Sequence, residues 1–390
     1  MNTQLKNRFR EYFGREPEMV FSAPGRTELG GNHTDHQLGR VLAGAVSLDS
    51  RAAVAPTDRR EIRVLSEGYP LCVISLDALF PREEEKGRTA ALVRGVAAGI
   101  REAGLEPRGF DAYVQSRVLP GSGLSSSAAF EVLMGTVLNG LCGGKLDPVA
   151  IARIGQRAEN LFFGKPCGLM DQTASAVGNI VAIDFENPES PRVEPVDFDF
   201  SACGHALCII DSGADHADLT DEYAAIPGEL AAVCRALGKE RLRQVSEAEF
   251  YARLPALRAA AGDRALLRAM HVFEENRRVD AQVAALRAGD FPAFLALVKQ
   301  SGRSSWQYLQ NVVPTGAIRH QELGLALALT ERLLGGRGAC RVHGGGFAGT
   351  LQAFVPLDML EGFQEELEAV LGQGKCHVLS IRQEGGVRLE

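Results

Sequence analysis

Two glycines followed by three serines, in the run Gly121-Ser122-Gly123-Leu124-Ser125-Ser126-Ser127, have the residue types and spacing to hold an anion. Gly121 and Gly123 let the backbone approach a ligand and adopt dihedrals that other residues resist. The serines add hydroxyls without bulk, and each can donate to a phosphate oxygen or lend its own oxygen to Mg²⁺. A Walker A loop ends Gly-Lys-Ser/Thr and no lysine follows here; a dinucleotide fingerprint needs a third glycine where Ser126 stands. The plainer alternative is a Gly/Ser turn that caps a helix.

A second concentration lies at 25–39. It holds a cation (Arg26), carboxylates (Glu28, Asp35), an amide (Asn32), two imidazoles (His33, His36) and a hydroxyl (Thr34). Such a mixture can hydrogen-bond several hydroxyls of a sugar at once, and a hydroxyl left unpaired discriminates strongly. The other readings are a loop held by Asx turns and a metal site on His33-x-x-His36, which lacks a third strong ligand motif. Further on, Glu159 and Asp171 bracket Gly164-Lys165-Pro166-Cys167-Gly168. Asp171 reads either as a functional carboxylate or as an N-cap. A charge such as Glu159 near a helix C-terminus is unfavourable, which points it toward a cation. Cys167 has no neighbouring activator and reads as a small packed residue.

The pattern around the serines predicts a strand over 110–118 and a helix over 128–141, so the glycines fall on a strand-to-helix turn, where free N–H groups and the helix dipole favour an anion. An amphipathic helix opens the chain, and a short strand, 19–24, leads into the polar loop 25–39. Strands over 41–48, 52–55, 62–65 and 71–74 suggest a mostly antiparallel sheet, interrupted by a helix over 89–103. Helices over 148–162 and 172–177 and strands over 180–185 and 205–211 follow, with an exposed hairpin or loop over 186–203 between those two strands. Long helical patterns from 219 to 298, a helix over 318–334, strands over 340–343 and 351–355, a helix over 357–371 and a strand over 377–381 read as a second α+β unit.

With 390 residues, 45% hydrophobic and 23% charged, the chain is long enough for two cores. A formal net charge of −7 argues against nucleic-acid and membrane-surface partners, which need a basic face. The first residues read as neither a signal peptide nor an anchor. Eight scattered cysteines suit a reducing cytoplasm, the expected location. An oligomeric state does not follow from the sequence.

The run Pro120-Gly121-Ser122-Gly123-Leu124-Ser125-Ser126-Ser127-Ala128 resembles the phosphate-binding motif of the GHMP family of small-molecule kinases. The first stretch is similar to the signature of the galactokinase branch, Gly-Arg-x-Asn-x-Ile-Gly-Glu-His-Thr-Asp-Tyr. It keeps Gly25, Arg26, Gly31, His33, Thr34 and Asp35, and departs at Glu28 (usually Asn), Asn32 (usually Glu) and His36 (usually Tyr). The stretch 158–172 resembles the one that carries the catalytic base, 211–223 the one that carries a sugar-contacting Tyr, and 343–350 the glycine-rich third motif.

The resemblance implies an α+β, two-domain GHMP kinase fold. It has an N-terminal ribosomal protein S5 domain 2-like domain (1–205) and a C-terminal ferredoxin-like α+β domain (206–390). It implies ATP as co-substrate and Mg²⁺ on Ser127 and Glu159, with the nucleotide on Gly121, Ser122, Gly123, Leu124, Ser125, Ser126 and Ser127. Asp171 and Arg26 would be catalytic, and Glu28, Asn32, His33, Thr34, Asp35 and Tyr223 would form the sugar site. The expected reaction is phosphorylation of galactose at its anomeric hydroxyl, with wider tolerance at the sixth carbon, because Asn32 stands where the family's Glu is expected to accept from that hydroxyl. The alternatives are a kinase for galacturonate or arabinose, and a catalytically weak sugar sensor. A mevalonate or homoserine kinase is disfavoured by His33-Thr34-Asp35.

Overall fold

The computed structural model describes residues 2–118, 123–214 and 219–390. Among the described residues twelve strands, numbered in chain order, divide between two sheets. The larger contains β1 (Met19–Gly30), β2 (Arg40–Pro56), β3 (Glu61–Ser66), β4 (Cys72–Ser75), β5 (Phe110–Ser116), β6 (Ile180–Asp184) and β7 (Arg192–Val196), together with β12 (Val387–Arg388). The smaller contains β8 (His205–Asp211), β9 (Ala339–Val342), β10 (Thr350–Pro356) and β11 (Cys376–Leu379), in the order β11-β8-β10-β9. All pairings are antiparallel except β3 with β5.

Alternation puts Phe21, Ala23, Ala52, Val54, Ala112 and Val114 into one core beneath the helices Thr89–Glu102, Ser126–Leu141, Pro148–Arg157 and Met170–Val177. The first helix, Asn2–Phe13, covers the opposite face with Leu5 and Phe9. The helices Glu322–Leu334 and Leu360–Leu371 pack on the smaller sheet through Leu323, Leu327, Phe363 and Leu367. The mixed α+β class is as expected. Among the described residues no helix is long and apolar enough to cross a membrane.

Three readings are corrected. The segment 25–30 is strand rather than loop: β1 runs on to Gly30, with irregularities at Pro24/Arg26 and Glu28/Gly30. Its polar residues resemble a loop, but Arg26, Thr27 and Glu28 are all buried against partners distant in sequence. The expected strands 41–48 and 52–55 are one strand, β2, seventeen residues long. The expected helix over 148–162 changes at Ala158 into a π-helical turn, Ala158–Phe163, closed by Gly164 at φ 86°. Such turns frequently occur at functional sites. Within 186–203, β7 pairs with β6 as one arm of a hairpin.

Candidate active site

From within β1, Arg26 meets Asp171, in the first turn of Met170–Val177, through two parallel hydrogen bonds: Nε to Oδ1 at 2.6 Å and Nη2 to Oδ2 at 2.7 Å. This is the bidentate geometry of a strong guanidinium–carboxylate pair. The Asp171 carboxylate therefore does not cap its helix, and Leu169 is the N-cap. Ser125 donates its hydroxyl to Asp171 Oδ2, and Arg26 donates Nη1–H to the carbonyl of Gly123. The Leu124 carbonyl accepts the Arg26 backbone N–H at 3.0 Å, while the Leu124 side chain is buried. The beginning of the serine run is thus fastened to Arg26 and Asp171. Burial opposes the charge on Asp171, but Arg26 and the Ser125 hydroxyl outweigh it and hold the carboxyl below its ordinary value.

Ser125 sits in the left-handed region (φ 57°) at the start of the helix Ser126–Leu141, and its side chain makes no cap hydrogen bond. Two residues on, Ser127 donates to Glu159 Oε1 at 3.1 Å. Glu159 comes from the π-helical turn and is buried, as is Glu131, one turn beyond Ser127. Gln172 Nε2 lies between the two carboxylates, 3.0 Å from Glu159 Oε2 and 2.9 Å from Glu131 Oε2. Burial, and then the Glu159 charge, push Glu131 well above the usual carboxylate range. Lys165, whose side chain is largely exposed, reaches Glu159 Oε1 at 3.3 Å.

The residues after β1 form a tight cap over the far end of this pair. Thr34 is fully buried, with its hydroxyl 2.8 Å from the Gly31 carbonyl and 2.6 Å from that of Arg40, so it closes the loop. The Asp35 carboxylate accepts the His36 N–H at 2.8 Å and presses on Gly168, where any Cβ would collide with it. That contact brings Asp35 to the segment carrying Asp171. His33 (φ 58°) has Nε2 3.1 Å from the Gly345 carbonyl, and burial lowers its pKa to about 3. The His33 and His36 rings are 5.7 Å apart. Asn32 is buried and saturated: its amide donates to Glu28 Oε1 at 3.1 Å and to the Gly344 carbonyl at 2.7 Å, and accepts from Asn311 at 2.9 Å. Glu28 is ion-paired with the buried Arg341.

The turn 343–350 closes over both groups. Tyr223, on the helix Thr220–Ala236, donates its hydroxyl to the Gly346 carbonyl at 2.9 Å and stands edge-on to Phe347. Gly123 has φ 71°, and a Cβ there would lie 2.7 Å from Thr350 Oγ1 and 2.9 Å from His343 Nδ1. The serine run and this turn are therefore in direct contact.

Sequence comparison connects this arrangement to characterised families. Residues 91–179 match the family model described as GHMP kinases N terminal domain, and residues 7–56 match the Galactokinase galactose-binding signature. The chain is 34% identical over 346 residues to a galactokinase of Streptomyces coelicolor, covering 88% of this chain and 86% of the relative. It is 32% identical over 370 residues to one of Glaesserella parasuis, covering 92% and 91%. The chain belongs to the galactokinase family. The fold agrees: the Lactococcus lactis galactokinase complexed with galactose superposes with a TM-score of 0.84 over the full length of both chains at 24% identity. A mevalonate kinase gives 0.65 over 94% of this chain and all of its own, at 16% identity.

In this galactokinase-family chain the structure brings together Arg26, Asp171, Gly123, Ser125, Ser127 and Glu159, with Asp35 beside Gly168. Gly121 and Ser122 lie outside the described residues. Glu28 and Asn32 meet each other, and their polar atoms bond within the protein. Sequence reading missed Glu131, although its place four residues after Ser127 on a helix puts it on the same face. It also missed an apolar recess of about 380 Å³ beside Ser126 and Ser127, lined by Tyr69, Leu92, Val118, Phe130 and Phe163. Those side chains come from five separate stretches, which no local pattern connects.

Proposed function

We infer that this chain transfers the γ-phosphoryl group of ATP to the anomeric hydroxyl of galactose, giving galactose 1-phosphate. The observation that carries the reading is the Arg26–Asp171 pair, fastened to the serine run on one side and close to the Asp35 segment on the other. A phosphoryl group and a sugar hydroxyl would meet there. Phosphoryl transfer has a loose transition state, so positioning and charge stabilisation contribute most. Asp171, kept ionised by Arg26, is a weak base suited to accepting the hydroxyl proton late in the transfer. Arg26 offsets the charge that develops on the phosphoryl oxygens.

Asp35, His33 and Tyr223 would orient the sugar ring, and Thr34 would hold the loop that presents them. The nucleotide base fits the apolar recess, with its phosphates running over Ser126 and Ser127 to the helix N-terminus. Ser127 and Glu159 offer one hydroxyl and one carboxylate converging on a point, a donor set that suits Mg²⁺ when phosphates and water complete the shell. Mg²⁺ held there by Ser127 and Glu159 would offset the charge of the nucleotide phosphates. With both Asn32 N–H groups spent inside the protein, no hydrogen bond is lost when the hydroxymethyl group is missing, which supports tolerance for arabinose beside galactose, while a galacturonate carboxylate finds no free amide donor there.

The test is turnover with ATP against a panel of monosaccharides, with the product identified by phosphorus NMR. The expected result is an anomeric phosphate of galactose. Turnover confined to other acceptors, or a phosphate on another carbon, overturns the reading.

A further inference from the structure

Lys165 is placed by the residue it neutralises. At the end of the π-helical turn, the backbone N–H groups of Gly164 and Lys165 both donate to the Glu159 carbonyl, at 3.0 and 3.1 Å. The lysine then folds back, so that its ammonium lies 3.3 Å from Glu159 Oε1, the same oxygen that accepts from Ser127. The Glu159 side chain is 3% exposed and that of Lys165 is 63% exposed. A buried carboxylate with another, Glu131, close behind it needs a cation, and in this structure Lys165 supplies it.

An ion held by Ser127 and Glu159 would share Glu159 Oε1 with the ammonium. Two cations sharing one carboxylate oxygen repel each other strongly at such separations. The lysine has a flexible four-carbon stem and a side chain that is 63% exposed, so it can leave. The strongest anion to arrive there in the proposed reaction is the polyphosphate of ATP.

We propose that Lys165 is the resident counter-ion of Glu159, displaced when metal and nucleotide enter together and transferred to the phosphates. The inference rests on the reading of Ser127 and Glu159 as the Mg²⁺ site. The arrangement keeps the empty enzyme from binding free divalent ions and makes ion and nucleotide bind cooperatively.

The test uses the purified full chain and Lys165→Gln, an exposed substitution of similar length, with Lys165→Arg as the charge-retaining control. Mn²⁺ binding without nucleotide, followed by electron paramagnetic resonance, is expected to tighten about fivefold in Lys165→Gln, the scale of one partly exposed charge. Binding of metal-free ATP, followed by calorimetry in EDTA, is expected to weaken by about as much. Lys165→Arg should stay near the parent in both. Mn²⁺ affinity that is unchanged or lower in Lys165→Gln overturns the proposal, and so does unaltered binding of metal-free ATP. Glu159→Gln separates the two levels. If it leaves nucleotide-dependent Mn²⁺ binding intact, the metal-site reading is wrong and the proposal falls with it. If it abolishes that binding while Lys165→Gln behaves as the parent, only the counter-ion role is overturned.

Discussion

Arg26 and Glu28 stand two residues apart on β1, and each meets a partner of opposite charge from far along the chain, Asp171 for the first and Arg341 for the second. The pairs differ in their access to solvent. The Asp171 side chain is 29% exposed, whereas Glu28 and Arg341 are 5% and 0% exposed. One pair is reachable from solvent through Asp171, so a ligand can compete for its hydrogen bonds. The other is enclosed by Asn32, Gln352 and the third motif, and holds β1 against the smaller sheet. On one strand, then, the same type of interaction serves reactivity at one position and assembly at the next. What separates them is desolvation, which makes a broken buried pair far more damaging to folding than a broken exposed one.

Asp171→Asn tests the open pair. The amide keeps the shape and can still accept one hydrogen bond from Arg26, but it takes no proton from a hydroxyl. Turnover should fall by about 10²- to 10⁴-fold, the range for loss of a general base, while calorimetric ATP binding persists. Near-parental turnover would remove Asp171 from the chemistry. Arg341→Met tests the closed pair from the opposite side. It leaves the Glu28 carboxylate buried without its cation, and urea unfolding should register a loss of about 3–5 kcal/mol. A loss in turnover without a loss in stability would show that Glu28 belongs with the reacting groups.

The two pairs were unequally legible in the sequence. Helices such as Ser126–Leu141 follow from apolar periodicity, and Asp171 and Glu159 follow from a continuous stretch that resembles one in galactokinases. β1 beyond Pro24 was not legible, because Arg26, Thr27 and Glu28 read as loop residues until their distant partners are known. Glu28 finds Arg341 at a separation of 313 residues, which no window of local pattern spans. β12 is two residues long, too short for any periodicity. Tyr69 and Phe163 likewise became recess walls only once the fold had brought their separate stretches together.

The enclosed pair also carries a pH dependence. His343 Nε2 accepts the Glu28 backbone N–H at 3.2 Å, which requires a neutral ring. Burial, followed by the Arg26 and Arg341 charges, lowers its pKa well below the ordinary value. The unfolded chain takes up a proton as pH falls below about 6.5, whereas the folded chain does not. The contribution to stability is therefore complete above that pH and is lost as pH falls below it, by up to about 1.4 kcal/mol per unit. His271, also buried with a lowered pKa, acts in the same direction. Urea midpoints measured from pH 8 to pH 5 should fall less steeply in His343→Gln. An unchanged slope would show that His343 is not one of the groups responsible.

The smallest effect comes from exchanging the pair that departs from the family pattern. Galactokinase signatures have Asn and Glu where this chain has Glu28 and Asn32, and here the two side chains touch at 3.1 Å. The carboxylate and the amide have changed places. Glu28→Asn alone leaves Arg341 buried without a counter-charge, and Asn32→Glu alone sets a second buried carboxylate beside the first, so each should be destabilising by about 3 kcal/mol or more. The double substitution returns one carboxylate and one amide. Asn32 and Arg341 bond the same Glu28 oxygen, so a carboxylate at position 32 lies within reach of Arg341. The double variant should therefore recover to within about 1 kcal/mol of the parent, a non-additivity expected of residues in one network. A double variant no better than the worse single would show that the two positions are not interchangeable. The same proteins report on the sugar. A carboxylate at position 32 should disfavour galacturonate relative to galactose by a few-fold only, because Arg341 still neutralises it, and arabinose should change least. If the order of catalytic efficiency among the three sugars is unaltered in the double variant, position 32 anchors the first motif to the rest of the fold and does not read the sixth carbon.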